Sequence, residues 1–298
     1  MGPYPGIDLL LCIFQADAFH VIVYFCPTNH GILNRTSLIQ EIRSKKSFLC
    51  VGLDSDVRKM PEGISQDTRG LVAFNKQIIE ATADLAVCYK INTAFYECFG
   101  AAGWEAMEQT LEAIPKNIFT IADAKRGDIG NTSSMYARAF FEALPFDSIT
   151  VNPYMGKDSV SPFLAFKDKW SILLALTSNP GSQDFQTLQT GEGQVYEEVL
   201  RKSSAWGDDG NMMYVVGATR AEELSRVRQI IPKHFLLVPG VGAQGGSLQE
   251  VVKYGANEDI GLLINASRSI IYASSESDFA EAARSEAKKM QQEMSIFC

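Results

Sequence analysis

A single (β/α)8 barrel is the fold this sequence predicts, and three observations predict it. Eight short apolar runs alternate with segments of helical period. The runs are continuously apolar, as in parallel strands covered on both faces, rather than alternating in and out. A polar or charged residue closes nearly every run, as expected where barrel strands end at a shared site. With 298 residues and 46% hydrophobic content, the chain can bury one core of this size. An open doubly wound sheet is the alternative. It is disfavoured because no Gly-x-Gly-x-x-Gly turn follows the first run.

The first strand is Phe48 to Leu53, ending at Asp54. A helix over about 68–84 leads to the second, Leu85 to Tyr89, which ends in Lys90 and Asn92. A helix over 104–114 precedes the third, Ile118 to Ala122, which opens into Asp123-Ala124-Lys125-Arg126-Gly127-Asp128-Ile129-Gly130-Asn131-Thr132. Asn131 is the N-cap candidate of a helix running to Leu144. The fourth strand is Ser148 to Val151 and the fifth is Ile172 to Leu176. A long polar connection from Ser178 to about Gly193 follows, with the length and hydrogen-bonding content of a lid. The sixth strand is Met212 to Val216, the seventh Phe235 to Val238, and the eighth Gly261 to Ile264. A last helix covers 277–294. Residues 35–298 are therefore expected to form the barrel. Residues 1–34 differ in character: the apolar run Leu9 to Cys26 is interrupted by Asp17 and His20 and is marginal for a membrane span. The expectation there is a weakly ordered extension, or the product of upstream translation, and no membrane association.

The net charge of -8 argues against nucleic acid as a partner. Six cysteines without a C-x-x-C pair fit reduced thiols in the cytoplasm, not a zinc or disulfide framework. Of three histidines, only His234 lies beyond the first 34 residues. Proton transfer therefore falls to Lys, Asp or Glu, and no metal site is expected.

Two constellations carry chemistry. After the seventh strand come Gly240, Gly242 and Gly245, whose backbone can approach an anion closely. After the eighth comes Arg268, a fork suited to phosphate. Loops after these two strands are a frequent phosphate site in this fold. At the other constellation, Asp123 and Lys125 are two apart and so share a strand face, with Lys90 on the neighbouring strand. Together with Asp128 they make two cations and two anions, each keeping the others ionised. Such a set can be an ion-pair brace or a reaction centre.

The motif from Asp123 to Thr132 resembles that of the orotidine 5′-phosphate decarboxylase family. Agreement extends to CVGLD at 50–54, YKINTAFYE at 89–97, VNPYMG at 151–156, LTSNPGS at 176–182, PGVGAQGG at 239–246 and ASRSI at 266–270. The resemblance covers about residues 37–290, and the TSNPGS lid is less basic than elsewhere in the family. It implies conversion of orotidine 5′-monophosphate to uridine 5′-monophosphate and CO2, the last step of de novo pyrimidine synthesis, without metal or cofactor. It also implies a homodimer with shared sites. By motif, Lys125 would protonate C6 and Asp123 would face the substrate carboxylate. Asp54 and Lys90 would bind ribose, Asn92 the ring or ribose, and Ser178 the ring. Gln244 and Arg268 would hold the phosphate, while Asp128 and Thr132 would reach into the partner's site. A phosphosugar lyase of the same superfamily and a non-catalytic nucleotide-binding barrel remain as alternatives.

Overall fold

The computed structural model describes residues 33–218, 222–242 and 246–298. Eight parallel strands close into a barrel: β1 (Leu49–Gly52), β2 (Cys88–Asn92), β3 (Phe119–Arg126), β4 (Ser148–Val151), β5 (Trp170–Leu176), β6 (Met212–Val216), β7 (Phe235–Pro239) and β8 (Leu262–Ala266). Each pairs with its neighbours in chain order, and β1 closes on β8 with Leu49 opposite Ile264. The expected fold class is therefore the observed one.

Apolar runs become strands here because both faces are covered. All four residues of β1 and of β4, and all five of β6, are buried. The helices bury one stripe each. In Thr68–Thr82 it is Leu71, Phe74, Ile78 and Thr82, a helical repeat facing the barrel. Side-chain caps start these helices: Asn34 accepts from the Ser37 amide, Asp67 from that of Gly70 and Ser247 from that of Glu250. The expectation for residues 1–34 falls almost wholly outside the described residues. Its last two positions belong to the barrel unit, since Leu33 is buried and its carbonyl accepts from the Trp170 indole.

Several boundaries differ from expectation, three of them around β2 and β3. β2 starts at Cys88 because the Leu85 and Ala86 amides both bond the Thr82 carbonyl and so close the preceding helix. β3 runs on to Arg126, carrying Asp123 and Lys125 inside the strand. The helix after it begins at Gly130 with Ile129 as N-cap, so Asn131 lies within the first turn and does not cap it. That helix covers Gly130–Arg138 and continues as a wider turn over Ala139–Ala143.

His234 precedes β7 and so lies at the strand-start end, away from the mouth. Burial lowers its pKa. The thiols of Cys50, Cys88, Cys98 and Cys298 are free. Among the described residues, no helix is long and apolar enough to cross a membrane. Nor is any group of three or more His, Cys, Asp or Glu there placed to hold a metal ion.

Candidate active site

The strand ends converge on a cavity of about 320 Å³ lined by Asp54, Lys90, Asp123 and Lys125 on one side of the chain order and Gly240, Asn265 and Arg268 on the other. Ser178 and Thr177 line it from the end of β5.

Four charges alternate along the wall. The Lys90 ammonium donates to Asp54 Oδ1 at 2.8 Å and lies 3.1 Å from Asp123 Oδ2. Asp123 Oδ1 in turn accepts from the Lys125 ammonium at 2.6 Å. The barrel register makes this possible, setting Gly52 opposite Lys90 and Lys90 opposite Ile121. The Lys90 side chain is only 5% exposed. Burial opposes its charge, but Asp123 and Asp54 outweigh that cost and raise its pKa above the usual lysine value. Burial alone would also raise the Asp123 carboxyl. The two ammoniums prevail and lower its pKa to about 2. Lys125 differs from Lys90 in that its side chain is 51% exposed, with the ammonium at the cavity. Its backbone has φ of +47°, a left-handed conformation unusual for a residue with a side chain.

Arg268 opens a short helix after β8 and is exposed at the cavity. No carboxylate among the described residues is paired with it, which leaves its fork available to an anion. Gly240, with φ of +98°, turns the chain out of β7 as a residue with a side chain would resist doing. The Gly242 amide bonds the Gly246 carbonyl, and the Gly246 amide bonds the Gly240 carbonyl, pinching the loop at its base. Gln244 and Gly245 lie outside the described residues. At the end of β6, a side chain on Gly217 would lie 2.9 Å from the Ser178 backbone, so a glycine there lets Ser178 approach. The connection after β5 carries a short hairpin, Gln189–Thr190 against Gly193–Gln194. Gln186 anchors that connection by bonding both the amide and the hydroxyl of Thr177.

Three of the side chains singled out in the sequence stand apart from this cavity. The Asn92 carboxamide oxygen accepts from the Ala94 amide and does not line the cavity. Asp128 accepts from the Ile129 amide and joins none of the ion pairs, so the alternating set contains Asp54 in its place. Thr132 is exposed on the helix Gly130–Arg138. Polar residues beyond those singled out contribute as well, two of them inside strands. Asn265 lies within β8 and lines the cavity, and Thr150 of β4 donates to Asp123 Oδ1 at 3.0 Å.

A (β/α)8 barrel with an Asp–Lys–Asp–Lys chain at its mouth, and a glycine turn and an arginine after β7 and β8, has the form of a barrel enzyme with its polar groups gathered at the strand ends. The chain belongs to the orotidine 5′-phosphate decarboxylase / HUMPS family, whose model matches residues 47–284. It is 60% identical over 260 residues to the orotidine 5′-phosphate decarboxylase of Flavobacterium johnsoniae, covering 86% of this chain and 95% of that one. Among solved structures, the OMP decarboxylase of Leishmania donovani is 39% identical with a TM-score of 0.75, covering 87% of this chain and 96% of that one. The UMP synthase of the same organism is 41% identical with a TM-score of 0.77. There the match covers 86% of this chain but 55% of the synthase.

Proposed function

We infer that Lys125 is the proton donor of an orotidine 5′-phosphate decarboxylase reaction, in which orotidine 5′-monophosphate becomes uridine 5′-monophosphate and CO2. The observation that carries this reading is the Asp54–Lys90–Asp123–Lys125 chain in the cavity wall. Loss of CO2 from C6 leaves an electron pair in an in-plane orbital with no adjacent sink. A fixed ammonium must meet that charge and then deliver a proton to the carbon. Groups set in place before the reaction need no reorganisation when the charge forms. Asp123, with its low pKa, remains anionic beside the substrate carboxylate and is relieved of that repulsion as CO2 departs.

Asp54 and Lys90 then bind the ribose hydroxyls, and Ser178 bonds the ring. Arg268 and Gln244 hold the phosphate, and Gly240, Gly242 and Gly245 are the glycines that let the backbone approach it. Phosphate binding remote from C6 supplies energy for closing the connection after β5. The reaction needs no metal or cofactor. Mixing the protein with orotidine 5′-monophosphate in the presence of EDTA is therefore expected to remove the substrate's ultraviolet absorbance and yield the uridine nucleotide. Unchanged absorbance under these conditions refutes the proposal.

A homodimer with shared sites, acting in the cytoplasm, completes the reading. Ile129, Met135, Tyr136, Tyr154 and Met155 are exposed large apolar side chains on the connections after β3 and β4, with Tyr154 90% exposed. Such a surface suits a second copy of the chain. Asp128 and Thr132 lie on the same connection, so they would complete the partner's cavity rather than their own. Lys125→Ala and Asp128→Ala subunits, inactive alone, should form hybrids on co-expression that recover roughly a quarter of wild-type activity, since half the dimers hold one intact site. Hybrids as inactive as the parents would refute sharing.

A further inference from the structure

Between Ala122, opposite Ile149, and Arg126, opposite Val151, the regular pairing of β3 with β4 breaks. Three residues of β3, Asp123, Ala124 and Lys125, there face the single residue Thr150. This is a bulge with two extra residues. A bulge leaves backbone groups without ladder partners, and those groups must go somewhere. The Asp123 carbonyl accepts from the Thr93 amide on the β2 side. The Ala124 carbonyl accepts from the side chain of Arg126. The Lys125 amide donates to the hydroxyl of Thr150 at 2.9 Å, and the Asn152 amide resumes the ladder on the Arg126 carbonyl.

The Thr150 hydroxyl has one proton to give, and it gives it to Asp123 Oδ1 at 3.0 Å. Asp123 Oδ1 is also the oxygen that holds the Lys125 ammonium. One buried hydroxyl thus holds the backbone of Lys125 and the side chain of Asp123 together. We propose that Thr150 is a positioning residue of the decarboxylation, setting the separation of the Asp123 carboxylate and the Lys125 ammonium across the bulge. The inference rests on the reaction assigned above. It explains how Lys125 keeps its left-handed φ: the bond to Thr150 replaces the ladder bond that a regular strand would make. Thr150 makes no contact with the cavity, so it acts through the two charges and not on the substrate.

The test compares Thr150→Val, which keeps the branched shape but loses the hydroxyl, with Thr150→Ser, which keeps the hydroxyl. Thr150→Ala repeats the loss without the added methyl. Val and Ala are expected to lower kcat on the order of 10–100-fold, the scale of a lost hydrogen bond to a charged group. KM should stay within about threefold, because the phosphate and ribose contacts are untouched. Ser should stay within about threefold of wild type in both. Wild-type kcat in the Val and Ala variants overturns the inference, as does a Ser variant as slow as Val. Amide hydrogen exchange of unliganded protein reads the same bond without substrate. Lys125 should exchange faster in the Val and Ala variants than in wild type and Ser, and equal exchange in all four overturns the inference. A wild-type protein that leaves orotidine 5′-monophosphate unchanged counts against the proposed reaction, while the exchange result still decides the role of Thr150.

Discussion

Lys125→Ala is expected to abolish turnover while leaving the fold and the binding of uridine 5′-monophosphate nearly intact. The expected fall in kcat is roughly 10⁴-fold or more, because under the proposed mechanism the variant loses both a transition-state charge and the proton donor. A unit charge pair at roughly 3 Å and an effective dielectric near 20 is worth about 5 kcal/mol. Structure survives because the lysine side chain is half exposed and Asp123 keeps its contact with Lys90. Among the described residues, no other lysine lines the cavity except Lys90, which is held between two carboxylates. Single-turnover decay of substrate absorbance, with nucleotide affinity measured alongside, checks the pair of expectations. A variant turning over near the wild-type rate removes Lys125 from the chemistry.

Asp123→Asn is expected to damage stability and rate together. It leaves the almost wholly buried Lys90 with one carboxylate, Asp54, and takes away the carboxylate that pairs with Lys125. Breaking a buried pair by removing one partner costs about 3–5 kcal/mol. The loss should appear as a lower urea midpoint at neutral pH, with kcat down by roughly 10²-fold or more as Lys125 loses its anchor. The pH dependence has a definite sign. The Asp123 carboxyl titrates at about 2 in the folded protein, against 3.8 ordinarily. Its contribution is therefore complete above the ordinary value and is lost as pH falls through that value toward the folded one. The stability gap between wild type and Asp123→Asn should be constant above about pH 5 and should narrow below it. A gap independent of pH down to 3, or no gap at neutral pH, would contradict the ion-pair arrangement.

Much of the barrel is legible in the sequence because parallel strands covered on both faces must be apolar throughout. Cys50-Val51-Gly52 and Met212 to Val216 can be read directly for that reason. The start of β2 is less legible, since Leu85 and Ala86 are as apolar as the strand that follows but serve to end a helix. The extension of β3 is hidden for the opposite reason. Charged residues look like the end of a strand, yet Arg126 still pairs with Val151. At the site, Asp54, Lys90, Asp123, Lys125, Ser178 and Arg268 all stand out as polar residues at strand ends, and all line the cavity. Asn92 looks equivalent by position, but its side chain turns to a local amide. Thr150 could not be found in this way. A threonine within an apolar strand is ordinary β-sheet composition, and only the three-dimensional pairing reveals the bulge it faces.

That bulge also separates two kinds of tolerance to change in chain length. The connection after β5 could gain or lose residues at its hairpin while Gln186 still ties its base to Thr177. Between Ala122 and Arg126 no such freedom exists. Dropping one residue would move every later side chain of β3 to the opposite face, and dropping two would restore a regular ladder without the left-handed step at Lys125. Substitutions can tune this stretch, but insertions and deletions cannot. The number of residues from Ala122 to Arg126 is thus as much a part of this site as the charges themselves.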